Sequence, residues 1–286
     1  TVLEIRKEVQ IPTAYDVPAP RRKWEAVQQG MRTAGDERRR LGLGDKPAPD
    51  ICELMEVQGI RTGKADLPED VSGLMLNDKD IGLFVVAHEP DHWTRRRFSY
   101  AHEYAHVLLD RDQRGRVSRY SDRDDLLEVR ANAFAAAFLV PEDGALAFIS
   151  SIGKGRPSRS YAAVFDEEDA VAVEGRTEPG SQELQLYDIV QLAHHFGVSH
   201  PTALYRLKNL GLLTEPQFDR MRAVDKDEVG RLVRLLGFDD VPHQHARNEF
   251  RHRFVGLALE ALRRDRITRK KLLELGAMVE VGQEDM

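Results

Sequence analysis

One segment of the 286-residue sequence carries the strongest structural signal: Arg97-Phe98-Ser99-Tyr100-Ala101-His102-Glu103-Tyr104-Ala105-His106-Val107-Leu108-Leu109. Its apolar residues recur at helical spacing, so it predicts a helix that starts near Thr94 and ends at Leu109. Residues four positions apart lie one above the other on a helix, so His102 and His106 project from one face toward a common point. Two imidazoles placed in this way can bind Zn²⁺, and Glu103 can act as general base on a water molecule at the metal.

A catalytic zinc site needs a third protein ligand and an open position for water. Asp112 stands where an extended form of the motif has its third ligand, but Leu109 replaces the glycine that would turn the chain out of the helix, so we disfavour Asp112. Glu128 lies on a second predicted helix at 124–140, and two histidines with one glutamate form a known catalytic donor set. We therefore expect Glu128 to complete the site.

Residues around this donor set have further expected roles. Asn132 follows Glu128 by four positions and shares its helix face, so it is expected to hold a ligand imidazole in place. The donors suit zinc, although Mn²⁺, Fe²⁺ or Co²⁺ would also fit two imidazoles and one carboxylate. The residue that would stabilise a reacting carbonyl oxygen stays unassigned; Tyr205 and His194 have suitable chemistry, but we expect both to be structural.

Composition limits the class of protein. The 42 basic and 48 acidic residues give a net charge of −6, which does not suit a chain that binds nucleic acid through its overall charge. The single cysteine, Cys52, cannot form an internal disulfide, which favours a reducing, cytoplasmic setting. The longest apolar run, 133–141, is far shorter than the roughly 18 residues of a membrane-spanning helix, so we expect no membrane partner.

The remaining pattern predicts an α+β chain with a small sheet and many helices. Strands are expected at 71–76 and 81–87, separated by turn-forming residues, and Asp50 is expected to cap a short helix at 51–58. A polar helix at 21–41 is expected to be interrupted by Gly30 and Gly35. Further helices are predicted at 184–211, 215–237 and 247–276.

The segment at 97–109 resembles the zinc helix of the ImmA/IrrE metallopeptidase family. The resemblance extends to Glu128-Val129-Arg130-Ala131-Asn132-Ala133-Phe134-Ala135, to Phe138-Leu139-Val140-Pro141 and, upstream, to Leu67-Pro68-Glu69-Asp70-Val71-Ser72-Gly73. It covers 21–141 well and 184–276 more loosely. It implies a small β-sheet packed with a helical, zincin-like metallopeptidase core, in which His102, His106 and Glu128 bind the metal and Glu103 is catalytic.

Members of this family are bacterial and phage regulators that cleave a helix-turn-helix repressor after a stress or DNA-damage cue. The resemblance therefore implies a cytoplasmic, zinc-dependent endopeptidase whose substrate is a partner repressor or antitoxin, and whose action relieves repression. Two alternatives stay open: a non-proteolytic regulator or antitoxin with a structural metal site, and a DNA-binding transcription factor. One departure is that Tyr104-Ala105 replaces the commoner Leu-Gly.

The expected organisation has four parts. An extended segment at 1–20 precedes a metallopeptidase core at 21–143. Many relatives carry a DNA-binding domain before such a core, and whether one is missing here stays open. A flexible insertion at 144–183 has no counterpart in most relatives, and we expect it to cover the cleft. A mainly helical region at 184–286 completes the chain.

The segment 188–212 within the last region has the form of a helix-turn-helix. Gly197 suits the turn, Ser199 the cap of the second helix and Pro201 its first turn. Only Arg206 and Lys208 supply the basic side chains that a DNA reader needs on that helix. We therefore favour a packing unit of the protease, or a repressor-docking surface, over direct reading of DNA bases.

Overall fold

The computed structural model describes residues 14–78, 82–111, 115–122, 124–155, 159–165, 170–176, 182–238, 261–262 and 266–277. Asp112, the segment 1–13 and most of the helix predicted at 247–276 lie outside these residues. The main helices are α1 Lys23–Arg40, α2 Ile51–Val57, α3 Trp93–Leu109, α4 Leu126–Leu139, α5 Glu142–Ser151, α6 Leu186–Phe196, α7 His200–Asn209, α8 Glu215–Arg222, α9 Lys226–Leu235 and α10 Arg269–Ala277. The strands are β1 Arg61–Ala65, β2 Val71–Asp78, β3 Gly82–His88, β4 Gly115–Arg119, β5 Arg159–Phe165 and β6 Ala170–Arg176.

A four-stranded sheet in the order β1-β3-β2-β4 packs against α3. β1 and β3 are parallel, and the other two pairs are antiparallel. Burial alternates along β3, where Leu83, Val85 and Ala87 are buried and the residues between them are half-buried. The α+β class and the strands β2 and β3 are confirmed. β1 and β4 were not predicted, because five-residue strands with several polar residues show no clear period.

Helix α1 runs unbroken from Lys23 to Arg40, so the predicted interruptions at Gly30 and Gly35 are wrong. Gly30 is instead a point of close packing between α1 and α4. A Cβ atom at Gly30 would lie 2.3 Å from the backbone oxygen of Arg130 and 2.8 Å from the backbone nitrogen of Phe134. The absent side chain therefore lets the two helix backbones approach directly.

Three aromatic rings fix α3 against α4. Phe134 and Phe138 of α4 stack with ring centroids 5.3 Å apart, and Tyr104 of α3 packs edge-on against them at 6.0 and 5.9 Å. All three rings are completely buried. Asp125 caps α4, its side chain accepting a hydrogen bond from the Leu127 amide at 2.7 Å. The helices predicted at 94–109 and 124–140 are thus confirmed to within two residues.

The segment 144–183, predicted as a flexible insertion, contains regular structure. Its first part belongs to α5, and β5 and β6 pair as an antiparallel hairpin. Pro141 and Asp143 are residue types that are favourable at a helix N-terminus, where α5 begins. Gly144 also allows a close approach, since a Cβ there would lie 2.2 Å from the Asp45 backbone oxygen. Among the described residues no single helix could cross a membrane by length and apolarity; α4 and α5 meet both conditions only together, across a 42° bend.

The helix pair within 188–212 is present as α6 and α7. Gly197 joins them with a φ of 64°, and the Ser199 side chain accepts a hydrogen bond from the Thr202 amide at 3.3 Å. Arg206 of α7 is buried, and its Nε donates to the Val140 backbone oxygen at 2.9 Å, so this guanidinium is not available to a DNA base. The helix predicted at 215–237 is divided into α8 and α9, because Asp225 adopts an extended N-cap conformation.

Replacing Gly30 with alanine should destabilise the fold, because the new Cβ would overlap the α4 backbone. We expect a loss of about 1–3 kcal/mol in the free energy of unfolding, measured by chemical denaturation. Gly35→Ala is the matched control, since a Cβ at Gly35 would meet only the end of the Arg39 side chain at 3.6 Å. That control should be neutral or stabilising by about 0.5–1 kcal/mol. Equal stabilities for the two variants would contradict the direct contact between α1 and α4.

Candidate metal centre

His102, His106 and Glu128 converge at one point between α3 and α4. His102 Nε2 lies 2.9 Å from Glu128 Oε2 and 3.2 Å from His106 Nε2. His106 Nε2 lies 3.4 Å from Glu128 Oε1. All three side chains are buried. The structure therefore brings together the three residues that the sequence analysis proposed as ligands.

The outer nitrogen of each imidazole is hydrogen-bonded away from this point. His102 Nδ1 lies 3.0 Å from Asn132 Oδ1, and His106 Nδ1 lies 2.8 Å from Asp110 Oδ2. Because amide and carboxylate oxygens are acceptors, each Nδ1–H group donates a hydrogen bond to its partner. Each Nε2 atom therefore faces the centre. Asn132 is placed as expected. Asp110 was missed, although its position four residues after His106 was a usable signal.

Asp110 is held in turn by Arg130, a fully buried residue of α4. Arg130 Nη2 donates to Asp110 Oδ1, and Arg130 Nη1 donates to Gln29 Oε1 of α1 at 3.3 Å. A buried guanidinium is unfavourable unless it is paired. This chain of bonds therefore ties the orientation of the His106 ring to the packing of α1 and α4 against the end of α3.

Arg116 of β4 fixes the third donor. Its Nε donates to Glu128 Oε1 at 2.7 Å, and its Nη2 lies 3.5 Å from Asp125 Oδ2. With one oxygen held by Arg116, the carboxylate is oriented so that the other oxygen meets His102. No local sequence pattern indicates Arg116, because its contact depends on the pairing of an edge strand with no clear hydrophobic period.

Glu103 lies beside the donors but faces β2. Its side chain is completely buried, and neither oxygen makes a hydrogen bond of ordinary geometry within the described residues, although the Ser118 hydroxyl is near enough to lower its pKa. Gly73 of β2 provides the space, since a Cβ there would lie 2.9 Å from Glu103 Oε1 and 3.0 Å from the Val86 oxygen. A buried carboxylate without a firm partner is unfavourable, which indicates a position kept for a bound group.

The two carboxylates have opposite electrostatic surroundings. Burial raises the pKa of Glu103 above its usual range, against a smaller lowering by His102 and His106. Burial also acts to raise the pKa of Glu128, but hydrogen bonds with both imidazoles outweigh it and hold that pKa well below its usual range. Burial alone would lower the pKa of His106, yet its bonds to Asp110 and Glu128 raise it to about 9. Metal binding requires the neutral imidazole, so a metal would displace a proton here.

The donor set fits a divalent metal ion. A tetrahedral ion with bonds of about 2.0 Å places its ligands about 3.3 Å apart. The two Nε2 atoms are 3.2 Å apart, and each lies 2.9 or 3.4 Å from an oxygen of Glu128, His102 from Oε2 and His106 from Oε1. Among the His, Cys, Asp and Glu side chains that the structure describes, His102, His106 and Glu128 form the one group of three close enough to share an ion. Three protein donors leave one tetrahedral position free, as in catalytic zinc sites.

Tyr104 anchors the opposite side of α3. Its hydroxyl donates to one carboxylate oxygen of Glu37 on α1, and the Tyr15 hydroxyl donates to the other at 2.9 Å. Arg40 Nε donates to the same carboxylate at 2.8 Å. Burial tends to raise the pKa of Glu37, but these three hydrogen bonds lower it overall. The tyrosine that replaces the commoner leucine thus ties the metal-bearing helix to α1.

A cleft of about 600 Å³ opens beside the donors and is lined in part by His102 and Glu128. This volume is within the range of ligand-binding clefts. Tyr205, one of the two side chains considered as donors to a reacting carbonyl oxygen, lines the cleft. The other, His194, is not among the lining residues and stacks on Phe238 with ring centroids 3.9 Å apart.

Substituting Asp110 by asparagine should weaken metal binding, because the His106 ring loses a charged acceptor that orients it. We expect the affinity for Zn²⁺ to fall by about 10–100-fold, measured by competition with a chromophoric chelator. Asp122→Asn, at an exposed carboxylate, is the matched control and should bind as the unmodified chain does. Unchanged affinity in both variants would show that Asp110 does not support the centre.

Comparison with known families gives one result for this region. Residues 55–156 match the family model Peptidase_M78, described as the IrrE N-terminal-like domain. The matched range includes α3, α4 and the strands β1 to β4, and thus the whole donor set. No curated protein matches the chain. The resemblance inferred from the sequence is therefore confirmed over 55–156, and this match supports a metallopeptidase type of function.

Proposed function

We propose that this chain, whose residues 55–156 match the Peptidase_M78 model, is a zinc-dependent endopeptidase that cleaves a partner helix-turn-helix repressor or antitoxin and so relieves repression. One observation carries the proposal: two imidazoles and a carboxylate converge beside a second buried carboxylate, Glu103, which makes no firm hydrogen bond to any described residue. A merely structural zinc site closes with four protein ligands. Here the described residues supply three, next to a cleft.

Different side chains of this chain have different roles in the proposed peptide hydrolysis. A bound divalent ion would supply Lewis-acid activation of a water molecule and of the scissile carbonyl. Glu103 takes the proton from the attacking water as the new C–O bond forms, and returns it to the nitrogen as the C–N bond breaks. Arg116 and Asp110 keep Glu128 and His106 in orientation throughout. The absence of a side chain at Gly73 leaves space for the Glu103 carboxylate, which must reach both the attacking water and the leaving nitrogen.

The substrate needs a route to these groups, and β4 supports one. Among the described strands β4 pairs only with β2, so its other edge has no strand partner among them. An extended polypeptide can add to such an edge through backbone hydrogen bonds. Arg116 links β4 to Glu128, and Arg119 at the strand end lines the cleft. A substrate segment along β4 would therefore pass the metal centre.

The identity of the partner rests on the resemblance to the ImmA/IrrE family. Members of that family cleave helix-turn-helix regulators in stress responses and in phages or other mobile elements. Cys52 is a free thiol, and burial raises its pKa to about 12. The described fold therefore does not depend on a disulfide, which supports a cytoplasmic setting. The burial of Arg206 weighs against direct reading of DNA bases by α7, and so against the second alternative, a DNA-binding transcription factor. A toxin-antitoxin role would use the same chemistry on an antitoxin.

Replacing Glu103 with glutamine should abolish cleavage and keep the metal. The test incubates the zinc-loaded chain with the helix-turn-helix repressor encoded nearest to it and follows product by mass spectrometry. We expect one discrete cleavage in the unmodified chain and a rate lower by about 10²–10⁴-fold in Glu103→Gln, at equal zinc content. Glu69→Gln, at an exposed glutamate, should cleave normally. Zinc binding with no cleavage by any variant would favour the non-proteolytic regulator instead.

Gly73→Ala should also slow cleavage, because the new Cβ would press on the Glu103 carboxylate. We expect at least about a tenfold loss in kcat, since small displacements of a catalytic group are costly, with zinc affinity unchanged. Gly63→Ala is the control; its Cβ would meet side chains alone, the Phe84 ring at 3.3 Å and a Val86 methyl group at 3.9 Å, and none of the metal donors. Equal rates for both variants would contradict the placement of Glu103.

A further inference from the structure

The cleft extends from the metal donors along one face of α4. Val129, Asn132, Ala133 and Ala136 line it, and their spacing of three, four and seven positions places them on a single helix face. Ala133 and Ala136 are half-buried, whereas most of the rest of α4 is buried. The small side chains therefore leave open space directly beyond the Asn132 that supports His102.

Apolar side chains from two other helices enclose this space. Val27 and Met31, four positions apart on α1, line the same cleft, and Phe98 of α3 lies one helical turn before His102. The polar residue Asn132 is engaged with His102. These side chains and those of α4 thus give the cleft an apolar part, or pocket, beside the metal centre, whereas Ser72, Arg95 and Arg119 are among its polar lining residues.

Helix α7 forms the facing wall. Thr202, Tyr205 and Asn209 line the cleft at positions separated by three and seven residues, so one face of α7 is turned toward α4. The Tyr205 ring is 47% exposed and is held edge-on against Phe218 at 5.1 Å. The bond from Arg206 to the Val140 oxygen fixes α7 to the end of α4. The face of α7 that carries Thr202, Tyr205 and Asn209 is therefore a wall of the cleft.

We propose that this pocket receives a large apolar side chain of the substrate, such as leucine, methionine or phenylalanine, next to the scissile bond. Ala136 on α4 and Tyr205 on α7 are the residues that set its size. The proposal rests on the proposed endopeptidase function for the bond that is cut, and it adds the class of residue that is recognised. Its support is the continuity of the pocket with His102 and Glu128 and the apolar lining side chains, which are Val27, Met31, Phe98, Val129, Ala133 and Ala136.

A substitution that reduces the size of the pocket tests whether the pocket selects the substrate side chain. Ala136→Leu would fill space in the cleft that Ala136 and Tyr205 both line, so it should exclude leucine and phenylalanine and admit alanine or valine. An apolar pocket distinguishes one methylene by about 10–200-fold, so the preference should reverse by at least tenfold. A purely structural role of Ala136 would lower all rates together without such a reversal.

The experiment uses synthetic decapeptides based on the mapped cleavage site, or on a randomised sequence if none is found, with one position set to Ala, Val, Leu, Met, Phe or Glu. Binding to the full-length Glu103→Gln chain is measured by fluorescence anisotropy, and cleavage by the unmodified chain is measured by mass spectrometry. The same series is repeated with Ala136→Leu and with Tyr205→Ala. Tyr205→Ala should weaken discrimination among apolar residues at least tenfold, and it provides a second reading if Ala136→Leu does not fold.

Two matched controls separate the pocket from general effects. Ala147→Leu adds the same side chain on an exposed position of α5, and Tyr187→Ala removes a tyrosine that is 43% exposed on α6 and absent from the cleft lining. Both should keep the preference of the unmodified chain. Apolar selectivity in binding without any cleavage would support the pocket and overturn the endopeptidase. Cleavage without apolar preference, an unchanged order in both pocket variants, or no peptide binding at all would overturn the pocket.

Discussion

The structure depends on one close packing, that of α4 against α3 and α1. Gly30 lets the α1 and α4 backbones meet, and the Phe134, Phe138 and Tyr104 rings fix the α3–α4 interface. Because core packing tolerates only small shifts, this interface sets the place of Glu128 relative to the two imidazoles. The donor set is therefore a consequence of helix packing, and its geometry persists only as long as the core does.

A second constraint is electrostatic. The centre brings two carboxylates and two imidazoles into a buried volume, where unpaired charge is unfavourable. Each group but one has a fixed partner: Asn132, Asp110 and Arg116 hold the donors, and Arg130 holds Asp110. Within the described part of the chain Glu103 lacks such a partner, and it lies in space that Gly73 provides. The group left unsatisfied is the one that the proposed chemistry needs to be free to exchange a proton.

The sequence predicted the local part of this arrangement. The spacing of His102 and His106, and of Glu128 and Asn132, follows from helix periodicity alone, and the structure places all four side chains together. Arg116 and Gly73 could not be found in this way, because they reach the centre through the pairing of strands distant in the sequence. Gly30 was misread as a helix break for a related reason, since its role lies in what it contacts. The helix pair α6–α7 was predicted, but not that α7 turns a face toward the metal cleft.

The most direct measurement of the central claim is anomalous X-ray diffraction from crystals of the zinc-loaded protein, recorded on both sides of the zinc absorption edge. The account predicts one strong peak per chain within about 2.0–2.2 Å of His102 Nε2, His106 Nε2 and a Glu128 oxygen. A peak bound by other side chains, or saturating zinc with no peak between α3 and α4, would contradict it.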